Sequence, residues 1–301
     1  MFSATARRFL AIPLLVAILG TITACSDGKE AIRVSSKEFT EQLILGQITV
    51  LALENAGYKV DDKTGIAGSN KLRTALLHKD IDVYWEYTGT GWLSLLQHDR
   101  RLANPQTCYE SVRDEDRGNG VTWLNFAAVN NTYTIMMQRA RAEALGIHSV
   151  SDLAAKADGL KFAVDHEFTA RPDGLPGLQE TYGLHLVQDK MVVMDNAIIY
   201  RALKDGQVDV GMGFATDGRI LAFDLVNLKD DLGFFPAYNP APVMLTAFAE
   251  KHKGVADILN SIAAKLTDDD IVHMNYLVDI QQRTPKDVAK AWLDKVGMAK
   301  P

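Results

Sequence analysis

Side chains able to do chemistry are plentiful in this chain, but their spacing is not that of a catalyst. The seven histidines, His78, His98, His148, His166, His185, His252 and His273, are scattered. None forms the His-x-x-x-His or His-Glu-x-x-His pattern that puts two imidazoles on one helical face for zinc. No Gly-x-Ser-x-Gly elbow presents a serine nucleophile. Gly89-Thr90-Gly91 and Gly211-Met212-Gly213 lack the third glycine of a dinucleotide fingerprint. Asp61-Asp62, Asp230-Asp231 and Asp268-Asp269-Asp270 fall at turns or a helix start, where carboxylates suit unpaired N–H groups better than calcium or acid–base work. Cys108 has no context of a reactive thiol. These residues predict neither an enzyme nor a cofactor or metal protein.

The amino-terminal residues carry a different chemistry. Arg7 and Arg8 precede an apolar run, Phe9 to Gly20, that contains Pro13, and Ile22-Thr23-Ala24-Cys25 follows. The pattern resembles the lipobox of bacterial lipoproteins, which implies a signal peptide over 1–24, cleavage before Cys25, acylation of its thiol and a short anchor linker over 25–29. The apolar run falls short of the ~20 residues of a spanning helix. A lipid tether on the periplasmic or cell-surface side of the bacterial cytoplasmic membrane is therefore expected, not a membrane span. Removing two arginines leaves 30 Lys+Arg against 38 Asp+Glu, a formal charge of −8. That balance, with no basic run, argues against nucleic acid as a partner. With Cys25 acylated, Cys108 alone can make no intramolecular disulfide.

The remaining 277 residues suffice for about two domains. Short β-branched runs alternate with helical periodicity, which predicts α/β architecture with mostly parallel sheets. Strands are predicted at Ala31 to Ser35, Ile81 to Tyr84, Leu160 to Val164, Met191 to Met194, Val208 to Met212 and Val243 to Ala249. A helix capped by Thr40 is expected to end at Gly57, and Ser149, Thr267 and Thr284 signal further helix starts. An internal similarity recurs at an offset of 127 residues: Ala75-Leu76, Asp82-Val83 and the loop from Tyr84 to Thr90 match Ala202-Leu203, Asp209-Val210 and the loop from Gly211 to Gly218. Two related lobes, each offering one loop to a shared crevice beyond the strand ends, are the simplest explanation.

Six runs then point to a family. Ser35-Ser36-Lys37-Glu38-Phe39-Thr40-Glu41-Gln42, Asp82-Val83-Tyr84-Trp85-Glu86-Tyr87-Thr88-Gly89-Thr90, Asn130-Asn131-Thr132-Tyr133, Phe168-Thr169-Ala170-Arg171-Pro172-Asp173-Gly174, Ala215-Thr216-Asp217-Gly218 and Phe234-Phe235-Pro236-Ala237-Tyr238 resemble the glycine betaine/choline/osmoprotectant substrate-binding proteins of ABC importers, in order over residues 31–297. The resemblance implies a two-lobed periplasmic-binding-protein fold of type II, with two mixed, mostly parallel sheets and a double crossover. Lobe 1 would be 30–128 plus 239–301 and lobe 2 would be 129–238, with Asp99 to Thr122 an excursion before the first crossover. It also implies a permease and its ATPase as partners.

A quaternary ammonium has no N–H to donate, so recognition falls to shape and to aromatic faces. By resemblance, Tyr87, Tyr133, Tyr200 and Tyr238 would form the cage. Arg171, assisted by Lys37 and Thr90, would hold a betaine carboxylate, with an ion pair to Asp173 or Glu167 as the structural reading of Arg171. Gln42 is a weaker donor candidate. Trp85 and Phe214, which depart from the family pattern, are either further members of the cage or, as is commoner for an aromatic just beyond a strand, core. The expected ligand is a zwitterion such as glycine betaine; the alternatives are choline or another trimethylammonium solute, or solute sensing without transport.

Overall fold

The computed structural model describes residues 1–2 and 31–299; Cys25 and the signal-peptide reading lie outside the described residues. The first of two five-stranded sheets holds β1 (Ile32–Ser36), β2 (Val60–Thr64), β3 (Val83–Tyr87), β4 (Val121–Trp123) and, from late in the chain, β10 (Pro240–Leu245), in the order β2-β1-β3-β10-β4. The second holds β5 (Tyr133–Gln138), β6 (Phe162–Val164), β7 (Met191–Val193), β8 (Val210–Phe214) and β9 (Leu225–Asn227), in the order β7-β6-β8-β5-β9. Four strands of each sheet run the same way, three of them as parallel neighbours, and the fifth, β10 or β5, runs antiparallel to both its neighbours. Both sheets are thus mixed and share one plan.

The 127-residue repeat is visible as structure. Helices Ser69–Leu77 and Asn196–Lys204 lead into β3 and β8, which occupy the same position in their sheets. Asp82 exchanges bonds with Arg33, its N–H donating to the carbonyl and its carboxylate accepting the Arg33 N–H, both at 2.8 Å. Asp209 does the same with Lys161, at 3.0 and 2.9 Å.

The helix Thr40–Asn55 buries Ile44, Leu45, Ile48 and Leu53 completely and packs on helices Asp268–Asp279 and Pro285–Lys295. Its cap position belongs to Phe39, not Thr40, whose hydroxyl is drawn off to Asp279 Oδ1 at 2.6 Å. Ser149, Thr267 and Thr284 cap their helices as expected, accepting the N–H of Asp152, Asp270 and Asp287. Gly57, at φ +85°, follows the first helix.

One predicted strand needs correction. The strand placed at Val243 to Ala249 is β10, which starts at Pro240 and gives way to a helix, Thr246–Lys251. Prolines fit this inner strand because Pro240 and Pro242 present carbonyls, not N–H groups, to the adjoining chain: Ala127 and Leu124 donate to them at 2.9 Å. The segment from Asp99 to Thr122 contains a helix, Pro105–Gly118, capped by Asn104, whose Asp116 ties down Arg73 and the Trp123 indole. Among the described residues no helix is long and apolar enough to cross a membrane.

Candidate functional site

The two sheets point the carboxyl ends of their parallel strands toward one cavity of about 660 Å³. Five aromatic side chains reach it from strand ends or just beyond. Tyr87 closes β3 and Phe214 closes β8, Tyr133 opens β5 directly opposite Phe214, Phe39 lies three residues after β1, and Tyr238 lies two residues before β10. Their rings form a continuous series. Tyr87 to Phe39 is 6.2 Å between centroids, Phe39 to Phe214 is 4.9 Å, Phe214 to Tyr133 is 5.4 Å, and Tyr133 meets Tyr238 edge-on at 5.4 Å. Such a wall offers π faces to a cation and apolar surface to its methyl groups.

Beside the rings runs a polar chain that crosses from one sheet's residues to the other's. Lys37 Nζ donates to Glu86 Oε1 at 2.6 Å and to Ser69 Oγ at 2.9 Å, and Ser69 donates onward to Glu167 Oε1 at 2.8 Å. Arg171 takes up Glu167 through Nη1 at 2.9 Å, Thr90 Oγ1 through Nη2 at 3.3 Å, and Asp173 through both Nε and Nη2. Asp173 also accepts the hydroxyl of Tyr238. Lys37 Nζ stands 5.2 Å from the Tyr87 ring centroid and Arg171 Cζ 5.4 Å from that of Tyr133. Lys37, Thr90 and Arg171 thus all line the cavity. Arg171 carries both of the ion pairs weighed as its structural alternative. Gln42 is fully buried and accepts the Lys37 N–H through Oε1 at 3.4 Å.

Tyr200 stands elsewhere. It is fully buried on the inner face of its helix, where its hydroxyl accepts the Phe214 N–H at 2.9 Å and Arg219 covers its ring at 4.0 Å. A Cβ at Gly213 would lie 2.7 Å from that hydroxyl, so the glycine makes the room that turns Tyr200 under β8 and away from the cavity. Of the two aromatics with alternative readings, Phe214 lines the cavity, whereas Trp85 is core, with its indole donating to Thr49 Oγ1 at 2.9 Å. Phe39, Asn131 and Asp165 are wall residues that the sequence reading passed over. The signal for Phe39 was available: an aromatic just beyond the carboxyl end of a parallel strand sits where ligands settle.

Carboxylates dominate the ionisable wall, with Glu38, Asp165, Glu167 and Asp195 facing Lys37, Lys71 and Arg171. Burial, with help from Glu167 and Glu38, raises Asp165 to about 6 against the pull of the Phe168 N–H and Arg171. Glu167 goes the other way: burial opposes its charge, but Lys37 and Arg171 together hold it below the ordinary carboxylate range. Glu41, buried behind Tyr87, is raised by burial despite accepting hydroxyls from Thr216 and Tyr87. Burial pushes the Cys108 thiol up to about 11, which leaves it inert.

With this geometry in hand, likeness to known proteins is specific. The family described as the substrate binding domain of ABC-type glycine betaine transport system matches residues 30–295. A glycine-betaine-binding protein of Pseudomonas aeruginosa is 39% identical over 289 residues, 93% of this chain and 92% of that protein. The ligand-free structure of YehZ from Escherichia coli superposes with a TM-score of 0.67 at 30% identity, covering 90% of this chain and 100% of that one. A structure described as a glycine betaine/carnitine/choline ABC transporter gives a TM-score of 0.72 at 25% identity over 89% and 99%. The chain belongs to the substrate-binding proteins of ABC-type glycine betaine transport systems, carriers that serve a permease and are not enzymes.

Proposed function

We propose that this chain captures a small quaternary ammonium solute in the aromatic cavity and hands it to a permease driven by a cytoplasmic ATPase, while Cys25 holds it to the membrane by a lipid. The continuous series of five rings along the cavity wall carries the reading. Tyr87, Tyr133 and Tyr238 are its cage, joined by Phe39 and Phe214. Tyr200 supports β8 from behind. The lobes, 30–128 with 239–301 and 129–238, close on the solute about the two crossovers.

A betaine carboxylate would find Thr90 and the N–H donors that Lys37 and Arg171 keep beyond their internal bonds. Lys37 spends two of three, and Arg171 spends four of five. The similar proteins named for glycine betaine support a zwitterion. A second reading, a hydroxylated cation such as choline, is favoured by the same pairs, because Asp173, Glu167 and Glu86 already neutralise both basic groups. Titration calorimetry against glycine betaine, choline, proline betaine, carnitine and ergothioneine separates them. Binding of one betaine, weakened at least tenfold in both Tyr87→Ala and Arg171→Ala (roughly 1.4 kcal/mol each), supports the zwitterion; choline binding that survives Arg171→Ala supports the cation. Silence across the panel would sink the cage.

A further inference from the structure

We infer that Glu41 is the buried counter-charge of the bound quaternary ammonium and acts on it through the ring of Tyr87; the inference rests on the cage reading above. Glu41 is the second residue of the helix Thr40–Asn55 and is only 2% exposed. Its Oε1 accepts the Tyr87 hydroxyl at 2.7 Å and its Oε2 accepts the Thr216 hydroxyl at 2.6 Å. Other buried carboxylates here each hold a cation: Glu86 has Lys37, Asp116 has Arg73, Asp173 has Arg171 and Asp217 has Arg219. Glu41 has hydroxyl partners, and among the described residues no basic side chain pairs with it. Burying a carboxylate without a cation is costly. The first turn of the helix offsets part of that cost. The rest is recovered when a cation arrives on the other side of Tyr87.

The arrangement suits one class of cation. A phenol that donates to a carboxylate becomes richer in electron density, so its face attracts a cation more strongly. Because the carboxylate sits behind the phenol and outside the cavity wall, it gives an N–H-bearing ammonium nothing to bond. Its field is felt through one ring, at no disadvantage to a fully methylated nitrogen. Asn131 Nδ2, 3.5 Å from the Tyr87 oxygen, braces the hydroxyl from the cavity side. Thr216 follows β8, so the same carboxylate also ties the two sheets' residues together beneath the cage.

The test uses the full-length chain, with choline and its neutral carbon isostere 3,3-dimethylbutan-1-ol as probes, glycine betaine beside them, and calorimetry as the readout. Glu41→Gln keeps the shape and one acceptor oxygen and removes the charge; the hydroxyl that meets its amide nitrogen turns to accept. Expected is a loss of about 5- to 20-fold in the preference for cation over isostere. Isostere binding should stay within about twofold, as for a pocket of unchanged shape. Tyr87→Phe, which keeps the ring and removes the relay hydroxyl, should lose the same preference, and the double variant should lose no more than either single one. An equal loss for cation and isostere, or an unchanged preference in both variants, overturns the inference and leaves the cage standing. Wild-type protein that binds none of the three probes overturns both.

Discussion

Arg171 reaches the cavity wall already engaged: two carboxylates and a hydroxyl surround it before any solute enters. A basic group so held does not leave an unpaired charge in the empty site. Asp165, on the same wall, is one residue through which pH acts. It caps the helix His166–Ala170 by accepting the Phe168 N–H at 2.7 Å. Its folded value of about 6 lies above the ordinary 3.8, so the folded state holds the extra proton between about 4 and 6, and stability falls as pH rises through that window. Asparagine caps as well as aspartate. Asp165→Asn should therefore gain on the order of 1 kcal/mol over the wild type at pH 7 and little at pH 4, read as the difference between paired urea melts. The residues of the site were legible where a motif carried them, as for Tyr87, Tyr133 and Arg171. Glu41 and Asp165 were not, because a carboxylate in sequence reads as solvated until the fold shows what buries it.

At the scale of elements, the repeat carried the most information. It placed β3 and β8 in equivalent positions before any pairing was known, because a helix with Ala-Leu, a turn and an aspartate fix the same local geometry twice. β2, β4, β5 and β9 were missed: β2 reads Val-Asp-Asp-Lys-Thr and lies at a sheet edge, and β4 and β9 are three residues long, so neither alternation nor apolar content marks them, whereas the apolar run of β5, Tyr-Thr-Ile-Met-Met-Gln, did carry the signal of a buried strand. Tyr200 was misplaced because its environment depends on a glycine on another element. The close approach of helix Asn196–Lys204 to β8 makes a testable point. A Cβ at Gly211 would fall 2.6 Å from Ile199 Cγ2 and 2.9 Å from Leu203 Cδ1. Gly211→Ala should cost about 1–3 kcal/mol in denaturant unfolding. Affinity should hold, because the strain lies behind the strand and not at the wall.

For the whole molecule, two sheets of one plan bring their strand ends to one cavity, and side chains from both are stitched by the run from Glu86 through Lys37, Ser69, Glu167 and Arg171 to Asp173. Under the proposed closure of the lobes, the links across the cleft at this wall are the Ser69 hydroxyl on Glu167 and Arg171 on the Thr90 hydroxyl, flanked by ion pairs on either side. Four of these charges are withdrawn from solvent, the Lys37 side chain being 6% exposed, Arg171 7%, and Glu86 and Asp173 0%, while Glu167, at 36%, is the exposed member. Ions in the medium screen exposed charges over about 3 Å at 1 M, but act far less on pairs from which water is excluded. Half-saturation should therefore move by less than about twofold between ~0.05 and ~0.5 M sodium chloride, measured by the same titrations. A cavity wall wired in this way keeps its internal bonds as the surroundings grow saline.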